Sequence, residues 1–512
     1  MTIASAWSIA LVGMDGTPVE VEAAITPGLP RTVLVGLPDT SLHEARDRCR
    51  AALTSAGLAW PNELLTINLT PASLPKAGSH YDLAIAAAVL AAAGVVPRSI
   101  TRRAVLMGEL GLDGRVRKVR GVLPGLLAAR RCGRTSAIVP WQQVGEARLV
   151  DGMTVHGVAS LDDLVEGLHG RRVVHPAPPP ADEAASATTD ETPAPLDLAD
   201  MLGQPEARWA AEVAAAGGHH MLLHGAPGVG KTMLAARLPG LLPDLTMPES
   251  LEVSALHSLA GDDLNDGLIK RPPYAAPHHN ATVAAMVGGG SRVARPGAIS
   301  LAHRGVLFLD EAPEFAPQVM EALRTPMEAG FVSVARSQGV VRYPSQFQLV
   351  MAANPCPCGL AGVPGSSCRC VPSAIRRYNA RLSGPILDRI DIHQRMAMVT
   401  SLLAKADTGV EPTAVVAARV AEARSRSERR LHGTGWRRNA EVPGHIARAG
   451  LPEAGLAMAE KQVLKGQLSV RGLDKVARLS WTLADLAGRG RVTVDDVAAA
   501  VALNQGEWMV AA

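Results

Sequence analysis

The stretch of residues 221–232, MLLHGAPGVGKT, constrains this chain more than any other. An apolar run, Met221-Leu222-Leu223, leads into Gly225-Ala226-Pro227-Gly228-Val229-Gly230-Lys231-Thr232. That is the spacing of a phosphate loop: Gly, four residues, Gly, Lys, then Ser or Thr. Glycines let backbone N–H groups close round a triphosphate, and the helix that follows turns its positive end to the same charge. In this frame Lys231 reaches the β- and γ-phosphates of ATP and the Thr232 hydroxyl holds Mg²⁺.

Two further apolar runs extend the pattern. Residues 304–311, RGVLFLDE, read as a buried parallel strand ending in two carboxylates, placed roughly 80 residues after the phosphate loop. Asp310 is expected to support Mg²⁺ and Glu311 to polarise the attacking water. Residues 348–354, QLVMAAN, form a third such strand ending in an amide. In AAA+ ATPases a polar residue at this place meets the γ-phosphate or the lytic water, so that likeness makes Asn354 the sensor candidate.

At 512 residues the chain exceeds one core, and about three domains are expected. Its 51 basic and 48 acidic residues leave a net charge of +3, so any nucleic-acid surface must be local. The four Phe all lie between Phe308 and Phe347, which argues against a broad base-stacking platform. No basic segment followed by an apolar core opens the chain, and its longest apolar run, residues 83–96, is short and Ala-rich. The expectation is a cytoplasmic protein without membrane contact, and the 83–96 run is read as a packed helix.

Four divisions follow. Residues 1–172 alternate strands (19–23, 32–35, 64–69, and 108–114 running into a turn) with helices (41–56, 82–93), an independent α+β domain. Residues 173–196 are rich in Pro, Ala, Thr and acids and cannot bury apolar area, so they read as a linker. Residues 197–399 hold the ATPase core, and 400–512 a helical lid. Within the lid, residues 413–430 form a basic helix, readable as a solvated face. Ser469 opens a helix with apolar residues at helical spacing, and Thr493 with Asp495 and Asp496 caps the last one.

Cys356, Cys358, Cys368 and Cys370 form C-x-C, nine residues, C-x-C. Such paired thiols suit tetrahedral Zn²⁺, although free or redox-active thiols and disulfides fit the same spacing. Residues 331–343, FVSVARSQGVVRY, alternate about a Gly-containing turn, the mark of a hairpin. Its Arg336 and Arg342 are candidates for phosphate contacts with DNA, or simply arginines on a solvated hairpin.

Residues 75–83, PKAGSHYDL, and Gly108-Glu109-Leu110 resemble the Lon-protease-like (ribosomal S5 domain 2-like) domain of magnesium-chelatase-like ATPases and of RadA. A proteolytic Lon domain carries its Ser nucleophile where His80 aligns, with Ser79 one place earlier. The resemblance therefore implies a non-proteolytic assembly or DNA-guiding domain. Pro277-His278-His279, residues 287–290 (VGGG), His303-Arg304-Gly305, residues 354–359 (NPCPCG) and 383–391 (SGPILDRID) together resemble the YifB/ComM family of magnesium-chelatase-like AAA+ proteins. The likeness spans nearly the whole chain except the linker.

What it implies is an α/β P-loop core with a Lon-like domain before it and a helical lid after it. It implies ATP and Mg²⁺ as ligands and a hexameric ring that, in ComM, drives branch migration of single-stranded or branched DNA alongside recombination proteins. It also implies a pore-facing insertion at 270–295 and a pre-sensor hairpin at 331–343. Arg389 becomes the arginine-finger candidate, with Arg376 and Arg377 as competitors, and Arg471 the second sensor. A motor that remodels a protein partner, and a switch that uses ATP only for assembly, are the other readings.

Overall fold

The computed structural model describes residues 1–36, 40–74, 76, 78–171, 196–289, 295–336, 339–362, 365, 367–398 and 409–506. The expected linker lies, except for Leu196, outside the described residues, as does the side chain of Arg336.

Seven strands build the first sheet. β1 (Thr2–Val12) and β2 (Asp15–Thr26) pair antiparallel through a turn at Gly13, whose φ of 64° suits a residue without a β-carbon. There follow β3 (Arg31–Val35), helix α1 (Thr40–Ser55), β4 (Leu64–Thr70), helix α2 (Asp82–Ala92) and β5 (Ala104–Leu106). Helix α3 (Val122–Arg131), β6 (Ser136–Pro140) and β7 (Thr154–Val158) complete it, in the order β3-β4-β2-β1-β5-β6-β7. The expected 82–93 helix is α2, buried at every position because its Ala-rich surface has no bulk to turn outward. Of the run expected at 108–114, only Glu109 and Leu110 form a strand, paired with Val116 and Arg117.

The second sheet carries the phosphate loop. Helix α4 (Pro205–Gly217) leads to β8 (Met221–Gly225), helix α5 (Lys231–Leu241), helix α6 (Met247–Ala260), β9 (Tyr274–Ala275) and β10 (Val306–Leu309). β11 (Phe331–Arg336) and β12 (Gly339–Pro344) form the expected hairpin, with Val334 opposite Val341. β13 (Gln348–Ala353) and β14 (Ile392–Met396) finish a parallel sheet ordered β9-β10-β13-β8-β14.

Strand alternation divides this sheet's core in two. Leu223, Phe308 and Val350 face α4, α5 and the lid. Leu222, Leu307, Leu349 and Met351 face α6 and the hairpin. With both faces covered, the strands read as continuous apolar runs. Each fully buried large side chain adds about 1.5–3 kcal/mol.

The lid contains α7 (Thr413–Arg430), α8 (Val470–Leu486) and α9 (Val494–Gln505). Ser469 accepts the Gly472 N–H at 3.0 Å, and Thr493 and Asp496 cap each other's backbone. The basic face of α7 is turned inward more than the sequence suggests. Arg419 grips Glu212 of α4 at 2.7 and 3.0 Å, and Arg424 donates twice to the Ala215 carbonyl. Arg430 pairs with Asp485 of α8. Arg419 and Arg424 clamp the lid to the core, and Arg430 ties two lid helices together.

The N-terminal sheet is also tied down. Gly121 N–H donates to the Ser258 carbonyl (3.1 Å), Ser258 Oγ to buried Glu146 (2.5 Å), and Asn265 to the Gln142 carbonyl (2.7 Å). The turn at Gly13 lies against Val341 of the hairpin, where an added β-carbon would come within 2.7 Å of Cγ1.

Candidate nucleotide site and thiol cluster

Residues that were far apart in sequence converge at the C-terminal ends of β8, β10 and β13. Gly228 and Gly230 take positive φ (79° and 96°), turning the loop between β8 and α5 back on itself. Buried Lys231 donates to the carbonyls of Gly225 (2.6 Å) and Ala226 (2.9 Å) and to Asn354 Oδ1 (2.9 Å). Burial lowers its pKa, while Asp310 and Glu311 pull the other way.

Thr232 Oγ1 donates to Asp310 Oδ2 at 2.8 Å. Two hard oxygen ligands meeting beside the phosphate loop suit Mg²⁺, which takes one or two protein oxygens together with phosphates. Glu311 stands at φ 51°, in the left-handed region where a side chain is strained, and Asp310 Oδ1 accepts its N–H at 2.9 Å. His279 Nδ1 lies 3.4 Å from the Glu311 carboxylate Oε2. His279 comes from the expected pore-facing insertion, and no role was read for it from sequence. Gln204, another residue without a sequence signal, ties the loop to the sheet through the Val229 (3.2 Å) and Ala397 (2.7 Å) carbonyls.

The two other candidates lie elsewhere. Arg389 contacts Glu328 and donates to the Pro385 carbonyl at 2.5 Å, and Arg471 Nη1 is 3.9 Å from Asp388. Both line one cleft of about 780 Å³ with His220, Phe347 and Asp391, which precede β8, β13 and β14. This is the N-terminal edge of the sheet. A five-residue strand rises roughly 16 Å, so the cleft and the phosphate loop are on opposite edges. Arg376 and Arg377 are exposed on the helix Pro372–Asn379.

The four clustered cysteines meet. Their Sγ atoms all lie within 4.8 Å of one another, and none forms a disulfide. In the hairpin, Arg342 is exposed and its guanidinium stacks over Phe331 at 4.8 Å. In the N-terminal sheet, the Ser79 hydroxyl contacts Glu109 and the His80 ring the Ile9 carbonyl (2.8 Å). Lys76 donates to the Gly36 carbonyl at 3.0 Å. Neither polar contact links Ser79 to Lys76 as a nucleophile to its base.

A parallel sheet with a phosphate loop on one strand, an acidic pair on a second and an amide on the strand between them defines an AAA+-type P-loop ATPase. Residues 197–402 match the family description "Magnesium chelatase, subunit ChlI", residues 21–143 "Subunit ChlI of Mg-chelatase" and residues 410–504 "Magnesium chelatase, subunit ChlI C-terminal". A Mycobacterium tuberculosis protein, Rv2897c, is 51% identical over 99% of both chains. Competence protein ComM of Haemophilus influenzae is 38% identical over 96% of this chain and 95% of its own. YifB of Escherichia coli is 38% identical over 95% and 94%. A shorter match, 30% identical over 30% of this chain and 21% of the relative, joins it to Lon protease 2 of Thermus thermophilus. The chain belongs to the YifB/ComM family of magnesium-chelatase-like AAA+ ATPases, with a Lon-like N-terminal domain and a helical lid. Among the described residues, no helix is long and apolar enough to cross a membrane.

Proposed function

We propose that this protein is a cytoplasmic, ATP-driven ring motor that acts on DNA, a hexameric helicase promoting branch migration in recombination or natural transformation. The observation that carries the ring is the division of the ATPase residues between opposite edges of one sheet. Lys231, Thr232, Asp310, Glu311 and Asn354 face one side, Arg389 and Arg471 the other. A neighbouring copy placed edge to edge brings the two sets together, so hydrolysis depends on assembly.

In this reading the phosphate-loop amides and Lys231 bind the triphosphate, and Asn354 meets its γ-phosphate. Thr232 and Asp310 would hold Mg²⁺, which would supply positive charge to the phosphates. Glu311 orients water, released or restrained by His279. Arg389 and Arg471 of the adjacent copy supply the remaining positive charge. Zn²⁺ in the thiol cluster belongs to the same proposal. So do the divisions at 1–172, 173–196, 197–399 and 400–512.

The DNA substrate is supported by 38% identity to a competence protein, and by a hairpin packed on the ATPase sheet with Arg342 exposed. Recombination proteins are the partner class this substrate brings. The second reading, a motor on a protein partner, is favoured by the magnesium-chelatase family descriptions. Purified protein with forked or four-way-junction DNA separates them. DNA should raise ATP turnover severalfold and junctions should be moved. Turnover indifferent to every DNA form rejects the DNA reading.

A further inference from the structure

Cys356 lies two residues beyond Asn354, where the chain leaves β13. Its Sγ is 3.3 Å from that of Cys358 and 3.7 Å from that of Cys368, and Cys358 and Cys368 are 3.6 Å apart. Four thiolates about a tetrahedral Zn²⁺, with Zn–S near 2.3 Å, stand roughly 3.8 Å apart, whereas a disulfide needs about 2 Å. Two backbone donors point at these sulfurs, Ala361 N–H at Cys356 (3.3 Å) and Cys370 N–H at Cys368 (3.4 Å), as charged thiolates require.

The turn between the first two cysteines and the rest of the cluster rests on the phosphate loop. Gly359, at φ 78°, has its N–H on the Cys356 carbonyl (2.9 Å). A β-carbon added there would fall 2.5 Å from Pro227 Cδ and 2.6 Å from Cγ. The cluster thus touches the nucleotide site twice, through Asn354 along the chain and through Gly359 across space.

Resting on the Zn²⁺ reading of the thiols, we propose that the bound metal braces the ATP site, holding Gly359 against Pro227 and Asn354 against Lys231. With the metal gone, four thiols crowded within 4.8 Å separate, and both contacts loosen. Nucleotide affinity is then set by metal occupancy at a site that touches no phosphate.

The test uses the full chain. Elemental analysis should give one Zn²⁺ per chain, and Co²⁺-exchanged protein should show the visible bands of tetrahedral thiolate coordination. After Zn²⁺ is withdrawn by chelator and Mg²⁺ is restored in excess, a fluorescent ATP analogue should bind at least about tenfold more weakly, and added Zn²⁺ should reverse this. Gly359→Ala adds a carbon that meets Pro227 and strains a left-handed position beside Cys358; preparations shown by elemental analysis to keep their metal should bind the analogue similarly weakly. Metal present with affinity unchanged by its removal and by Gly359→Ala overturns the brace while leaving the Zn²⁺ site. Protein that carries no Zn²⁺ and gives no Co²⁺ bands overturns both. Withdrawal and restoration on the unaltered chain do not depend on any variant folding.

Discussion

The Lys231 ammonium donates to the Asn354 carboxamide oxygen across 2.9 Å, so the two groups proposed to meet a γ-phosphate hold each other. On the proposed reading, nucleotide entry would exchange this bond for bonds to phosphate. Asn354→Ala leaves Lys231 its two backbone acceptors and should bind ATP within about threefold of normal, with turnover at least tenfold lower. Lys231→Ala should lose nucleotide binding altogether. Equilibrium binding and steady-state hydrolysis, measured in parallel, decide this.

Glu311→Gln keeps the shape of the side chain and removes the carboxylate proposed to orient water. Turnover should fall by roughly 10² or more with ATP still bound. Because His279 is 3.4 Å from that carboxylate, His279→Ala should alter turnover without altering ATP affinity. Normal hydrolysis by Glu311→Gln would refute the assignment.

Arg389→Ala and Arg471→Ala should each be nearly inactive alone while keeping an intact phosphate loop. Mixed with Lys231→Ala subunits, each should recover part of the activity, because one interface then unites a good loop with good arginines. Absence of recovery at any mixing ratio, with rings assembled, would show that the cleft does not serve a neighbour.

Stability should fall on mild acidification. His220 Nδ1 accepts the Leu349 N–H at 3.0 Å, and burial pushes the His220 pKa from an ordinary 6.5 down to about 4. Burial likewise pushes His393 down to about 4. Folded protein therefore binds fewer protons than unfolded protein between these values, so stability rises with pH there. It is complete above about pH 6.5 and is lost as the pH drops toward 4. Tm measured from pH 7.5 to 4.5 should decline, and less steeply in His220→Asn, whose amide oxygen can still accept the Leu349 N–H.

The docking of the first sheet on the ATPase core centres on Glu146. Its carboxylate accepts from Leu123 N–H (3.0 Å), Gln143 (3.1 Å) and Ser258 (2.5 Å). Glu146→Ala strands these buried donors and should cost about 2–4 kcal/mol in denaturant unfolding. Glu146→Gln, which keeps an acceptor oxygen, should cost less.

Much of this is legible in the sequence. The phosphate loop, the acidic strand and the amide strand announce themselves because a buried parallel strand must be apolar on both faces and must end where the chemistry begins. The caps at Ser469 and Thr493 are equally local, since a helix start is satisfied by residues within one turn. β1 is hard to see in the sequence for a related reason: buried on both faces and rich in Ala and Ser, it lacks the polar/apolar alternation that marks a half-buried strand. The basic character of α7 is plain in its residues, but the acceptors of Arg419 and Arg424, Glu212 and the Ala215 carbonyl, are some 200 residues away.

Residue type and short-range spacing therefore determined which groups this chain possesses: a phosphate cradle, an acidic pair, an amide and two pairs of thiols. Only the tertiary structure decided how they are grouped. It sends Lys231 and Asn354 to one edge of a sheet and Arg389 and Arg471 to the other, twists Glu311 into the left-handed region, and lays Gly359 on Pro227. Local patterns follow from the backbone's own periods, whereas these meetings depend on strand order and on packing between segments a hundred or more residues apart.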